Sequence, residues 1–132
     1  EPMIAAVMTG RFVDRRIAVD PAAGAYAGPL VVLVDAASVS AAEVLAAAFQ
    51  ESGRAVVMGE RTHGVVVASR HLNLPDGGRL SVGMQELRTP SGVVLEKRGV
   101  TPDVEIAPTL AQRRAGEDVV LAAAVALLTS SP

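Results

Sequence analysis

The chain has 132 residues, with 12 basic and 14 acidic side chains and a formal net charge of −2 at pH 7. That length bounds it to one domain or less, and charge this balanced, with no basic block, argues against nucleic acid as a partner. The absence of cysteine excludes disulfides and thiolate metal sites.

Half the residues are apolar, yet Phe12, Tyr26 and Phe49 are the only aromatics. The core therefore has to be Val, Leu and Ala in close sheet-to-helix contact. Neither a signal sequence nor an 18-residue apolar run is visible. Glu1 in place of an initiator Met reads as a processed or partial chain.

In chain order, residues 3–13 (MIAAVMTGRFV) have the spacing of the end of a helix with an irregular exit. Residues 14–19 predict a short edge strand, and the Pro and Gly of residues 21–29 a surface loop. The continuous apolar run 30–34 predicts a strand covered on both faces. After a polar turn at 35–40, an amphipathic helix is predicted over 41–51. It carries Ala41, Val44, Leu45, Ala48 and Phe49 on one stripe, turns Glu43 and Gln50 to water, and ends at Gly53. Residues 54–58 form the next strand, and strand–helix–strand at this length is a crossover unit.

Residues 59–64 (GERTHG) make a sharp polar turn. Residues 65–74 and 79–88, joined by Pro-Asp-Gly-Gly at 75–78, predict an antiparallel hairpin. A further short strand is expected at 93–96, a turn at 99–103, a helical turn at 109–114 and a helix at 117–128. That last helix is apolar nearly all round, so it either packs centrally or covers another segment or subunit, which makes it the candidate contact of a homo-oligomer.

Ser40 with Glu43 spells S-x-x-E, a capping box, and Ser38 competes for the same cap. The position has a second reading. A serine between a buried strand and a helix lies at the C-terminal edge of the sheet, facing first-turn N–H groups without partners, which suits a nucleophile whose attack creates an oxyanion. Such a serine needs a base. Lys97 on a short exposed strand, His63 in the turn after the second strand and His71 in the middle of a strand are the candidates, each with a plain surface or hydrogen-bonding alternative. Asp35 and Glu60 read as turn residues. Two histidines without paired carboxylates do not make a metal site, no phosphate loop or dinucleotide fingerprint is present, and no cofactor is expected.

Residues 28–104 resemble the catalytic core of the tail-specific or C-terminal-processing serine peptidases, a family with tricorn-type and retinoid-binding-protein-like branches. The matching blocks are GPLVVLVDAASVSAAEVLAAAFQESGRAVVMGERTHG, the PDGG turn, the LRTPSG turn and GVTPDVEI. The resemblance implies an α/β fold with a ClpP/crotonase-like spiral core of strand–strand–helix units, a crossover unit and additional antiparallel hairpins. It places the nucleophile at Ser40 and an oxyanion donor at the Ala41 N–H. It also implies a polypeptide substrate, cleaved near exposed C-terminal segments, and an exported or periplasmic location.

Two departures shape the functional expectation. The general base of the lysine-dependent branch falls on Val65, which cannot accept a proton, and its supporting glutamine falls on Ser69. A strand, a Gly-rich oxyanion loop and a PDZ domain usual upstream in the family have no counterpart, so the chain reads as a partial peptidase catalytic core. The expectation is a serine endopeptidase with an acyl-enzyme on Ser40 and a histidine base from outside the chain, His63 being the candidate within it. The alternative is an inactive peptidase-like domain that binds a peptide or apolar ligand.

Overall fold

The structure, a computed structural model, describes residues 3–10, 14–20 and 22–130. Its strands are β1 (Met3–Gly10), β2 (Asp14–Val19), β3 (Val31–Val34), β4 (Val56–Gly59), β5 (Val67–Asn73), β6 (Arg79–Arg88) and β7 (Val104–Glu105). The helices are α1 (Ala41–Glu51), α2 (Leu110–Ala115) and α3 (Val119–Ser130).

The continuous apolar run of β3, the eleven residues of α1 and the apolar β4 produce the parallel crossover that their spacing demands, with Val31 opposite Val56 and Val34 opposite Gly59. β7 adds to β4 in parallel, giving a three-stranded sheet in the order β3-β4-β7. The other strands form an antiparallel sheet in the order β2-β1-β6-β5. Register shifts between Ile4 and Ala6 and between Ala68 and Ser69 bend and curl it.

The expected ClpP/crotonase-like spiral core is therefore not formed. A spiral needs successive strand–strand–helix turns, whereas the described residues hold one βαβ crossover in a small parallel sheet and a separate curled antiparallel sheet. The helix expected at residues 3–13 is also corrected. Residues 3–10 are β1, paired with β2 on one side and β6 on the other, and residues 11–13 lie outside the described residues. Met and Ala favour a helix in isolation, but β2 pairs along most of the strand and β6 along Val7–Gly10, Ala6 is completely buried, and pairing overrides that preference.

Between the sheets, Val34, Ala46, Ala47, Val57, Val66, Leu95 and Val100 form one core cluster, with Val32, Val44 and Leu87 packed against it. Alanines at 46, 47 and 48 let α1 lie close on its neighbours. The buried face of α1 is rotated from the expected stripe: Glu43 is 0% exposed and Leu45 50%. The strand expected at 93–96 reduces to a single bridge between Val94 and Arg88. At the far end of α1, Glu51 accepts hydrogen bonds from the Ser91 N–H at 2.9 Å and hydroxyl at 2.7 Å. Burial pushes this carboxyl up, but the Thr89 and Ser91 hydroxyls and the Ser91 N–H outweigh it and hold it below its ordinary value.

Thr109 caps α2 through its side chain, and Gly116 ends the helix. α3 rests on β3 and β4 but buries only Ala124 fully, leaving Leu121, Val125 and Leu128 exposed. Among the described residues no helix is long and apolar enough to cross a membrane.

Candidate active site

The turn from β3 to α1 is built by Asp35, whose Oδ1 accepts from the Ala37 N–H at 2.9 Å and the Ser38 hydroxyl at 3.2 Å. Ser38 is thereby engaged with Asp35, and the position before α1 falls to Ser40. Ser40 is exposed, with φ 59° and ψ −121°, a conformation that side chains other than hydrogen rarely adopt. Its hydroxyl lies in the arrangement of a capping box without the geometry of a cap hydrogen bond. The Glu43 N–H instead reaches the Ser40 carbonyl at 3.0 Å.

The backbone of Ser40 is held from two directions. Its N–H is shared between the Val65 carbonyl at 2.9 Å and Glu43 Oε2 at 3.0 Å. The following N–H, that of Ala41, makes no hydrogen bond among the described residues.

Glu43 explains this arrangement. An acidic side chain with no exposed surface requires donors on every side, and it has four. Thr62 Oγ1 at 2.6 Å and the Gly64 N–H at 2.7 Å reach Oε1, while the N–H groups of Ser40 and Val65, both at 3.0 Å, reach Oε2. Thr62 in turn accepts from the Val100 N–H at 2.7 Å. The Lys97 N–H reaches the Gly64 carbonyl at 2.7 Å, and the Val66 N–H reaches Glu96 at 2.7 Å. This interlock needs glycine at two places. A Cβ on Gly64 would stand 2.8 Å from the Arg98 and Gly99 nitrogens, and one on Gly99 2.4 Å from the Thr62 carbonyl oxygen.

Ser40, Ala41, Val44 and Leu45 form one wall of a cleft of about 620 Å³, and Val67 and Leu87 face them from the antiparallel sheet. Ser69, His71 and Ser81 also line it. Val65 is half exposed, with both backbone groups spent on Glu43 and Ser40. The exposed His63 is tied through its N–H to the Ser38 carbonyl at 3.3 Å, and no hydrogen bond joins its ring to Ser40. Lys97 is exposed and does not line the cleft.

A second cleft, of about 280 Å³, lies at the C-terminal ends of β3 and β4. Its charged groups are spent locally: Glu60 pairs with Arg113, Asp118 accepts from the Leu121 N–H, and Asp35 holds its turn. Among the described residues no group of side chains could hold a metal ion.

Sequence reasoning placed Ser40 and Ala41 together but missed the burial of Glu43 and the part of Thr62. The sole local signal for them was a capping-box glutamate followed, after the next strand, by a Thr between polar residues and a Gly.

The parallel crossover thus sets a serine in a sharp turn beside a cleft. Residues 6–106 match peptidase family S41, and the chain belongs to that family, the tail-specific or C-terminal-processing serine peptidases. It is 44% identical over 82 residues to the chloroplastic C-terminal processing peptidase of Tetradesmus obliquus, covering 62% of this chain and 18% of that protein. To the carboxyl-terminal-processing protease of Synechocystis it is 36% identical over 104 residues, 76% of this chain and 24% of the relative. The solved photosystem II D1 C-terminal processing protease superposes with a TM-score of 0.72 at 34% identity, over 83% of this chain and 28% of that one. The chain thus spans about a quarter or less of the length of the two relatives.

Proposed function

We propose that this chain carries the nucleophile of a serine endopeptidase that acts on C-terminal segments of polypeptides. Ser40 Oγ attacks the carbonyl carbon of the scissile bond, a base takes the hydroxyl proton and passes it to the departing amine, and water then hydrolyses the acyl-enzyme. The Ala41 N–H donates to the oxyanion. One observation carries this reading: Ser40 is fixed in a strained turn on the cleft, with its own N–H drawn back to Val65 and Glu43 while the next N–H has no partner among the described residues.

Val65 cannot take the proton; the base in this proposal is a histidine from a part of the protein outside this chain or, within it, His63. Members of the family named above include a chloroplastic enzyme, and an exported or periplasmic location fits the proposal. The exposed face of α3 supports a contact between copies of the chain.

The second reading is a peptidase-like domain that binds a peptide or apolar ligand without cleaving it. The apolar side chain at Val65 favours it. A fluorophosphonate probe on the folded full-length protein decides between the two, because it reacts only with an activated serine beside a functioning oxyanion site. Labelling that maps to Ser40 and vanishes in Ser40→Ala is expected; a folded protein that takes no label overturns the peptidase reading.

A further inference from the structure

We propose that Ser69, His71 and Ser81 form a carboxylate-binding subsite in the cleft beside Ser40, one that holds a bound polypeptide by its C-terminal carboxylate or by an acidic side chain. This rests on the reading of the cleft as a peptide site. Among the described residues the cleft is otherwise walled by aliphatic side chains, and apart from Ser40 these three supply its only polar ones. Among the described residues His71 is the only ionisable side chain lining it, and no Asp or Glu does. A ligand group that sits here meets hydrogen-bond donors, with no acidic side chain among the described lining residues.

The three side chains are brought together by strand register. His71 and Ser81 are direct cross-strand partners, and Ser69 lies two residues before His71, on the same face of β5. Opposite Ser69 stands Gly83, which adds no side chain to cover it. Their polar groups are largely unspent. His71 and Ser81 make no side-chain hydrogen bond among the described residues, and the one contact of Ser69, to the Val67 carbonyl, is at 3.5 Å, the limit of such a bond.

The spacing also suits an extended peptide. Val65, bonded to Ser40, precedes His71 by six positions on the same segment, which at ~3.3 Å per residue is at most about 20 Å. A carboxylate up to about five residues beyond the reacting bond falls within that span. β5 is the outer strand of its sheet, so its free edge is available to run beside such a peptide.

The test uses the full-length protein carrying Ser40→Ala and reads fluorescence anisotropy. Three N-terminally fluorescein-labelled octapeptides of alanine, serine and leucine are compared: the free acid, the carboxamide, and the carboxamide bearing one glutamate near its end. The free acid is expected to bind about ten-fold tighter than the carboxamide. The glutamate peptide regains that affinity if side-chain carboxylates are accepted and stays weak if the subsite reads the chain end alone. In either case adding His71→Ala, a change at an exposed position, brings all three within about two-fold of one another. Equal binding of acid and carboxamide, a preference that survives His71→Ala, or no binding of any peptide overturns the proposal. The nucleophile is absent throughout, so the result stands apart from whether Ser40 takes a covalent probe.

Discussion

Glu43 is an acidic residue that a helical wheel turns toward water and that the fold buries completely. The wheel fails because the four donors that make the burial tolerable are not on the helix face. Three come from residues 62–65, which the crossover returns to the start of α1. A pattern of apolar spacing records which side chains avoid water, not which distant N–H groups will wait for a carboxylate. Thr62 is equally opaque in the sequence, since a Thr in a polar turn is ordinarily exposed, yet here it donates to Glu43 and accepts from Val100. Thr62→Val keeps the shape and removes both bonds, leaving the Val100 N–H and one lone pair of Glu43 unmatched. It is expected to lower the unfolding free energy by about 2 kcal/mol, read from urea denaturation. A loss under about 0.5 kcal/mol would show that the buried pair contributes nothing.

At the scale of elements, the sequence was most legible where local signals agree. α1 occupies residues 41–51 as its cap and periodicity require, and the long hairpin strand 79–88 matches its alternation. β1 was misread because Met and Ala spacing carries no information about flanking strands, and β7 was missed because two residues are too few for a pattern. Of the site, Ser40 and its place before the helix were readable, whereas its backbone conformation was not. That conformation has a measurable cost. Glycine adopts φ 59°, ψ −121° without strain, so Ser40→Gly is expected to raise stability by about 1 kcal/mol, net of the extra freedom it gives the unfolded chain. Thermal denaturation measures this, and a lower midpoint would mean that Ser40 sits there without strain. If Ser40 is the nucleophile, covalent labelling is lost in the same variant, which then sets stability against activity at one residue.

For the whole molecule, the family was legible because its blocks recur in order over residues 28–104, while the sheet arrangement was not, since recurrence of blocks does not specify how strands are shared between sheets. The last helix remained open for a related reason: an apolar segment announces burial without naming its cover. In the fold, α3 leaves Leu121 and Val125 half exposed, one turn apart on the same side. If copies of the chain meet there, Leu121→Glu with Val125→Glu weakens association at least ten-fold in sedimentation velocity without unfolding the protein. A wild-type protein that stays monomeric at high concentration removes the contact. The tie between Ser40, Glu43 and residues 62–65 also has a consequence in time. Three amides, those of Ser40, Gly64 and Val65, end on one carboxylate, so none can be released far without disturbing the others. Their protons should exchange with solvent through one shared opening, so that the turn bearing the serine and the segment beneath it fluctuate as a single unit.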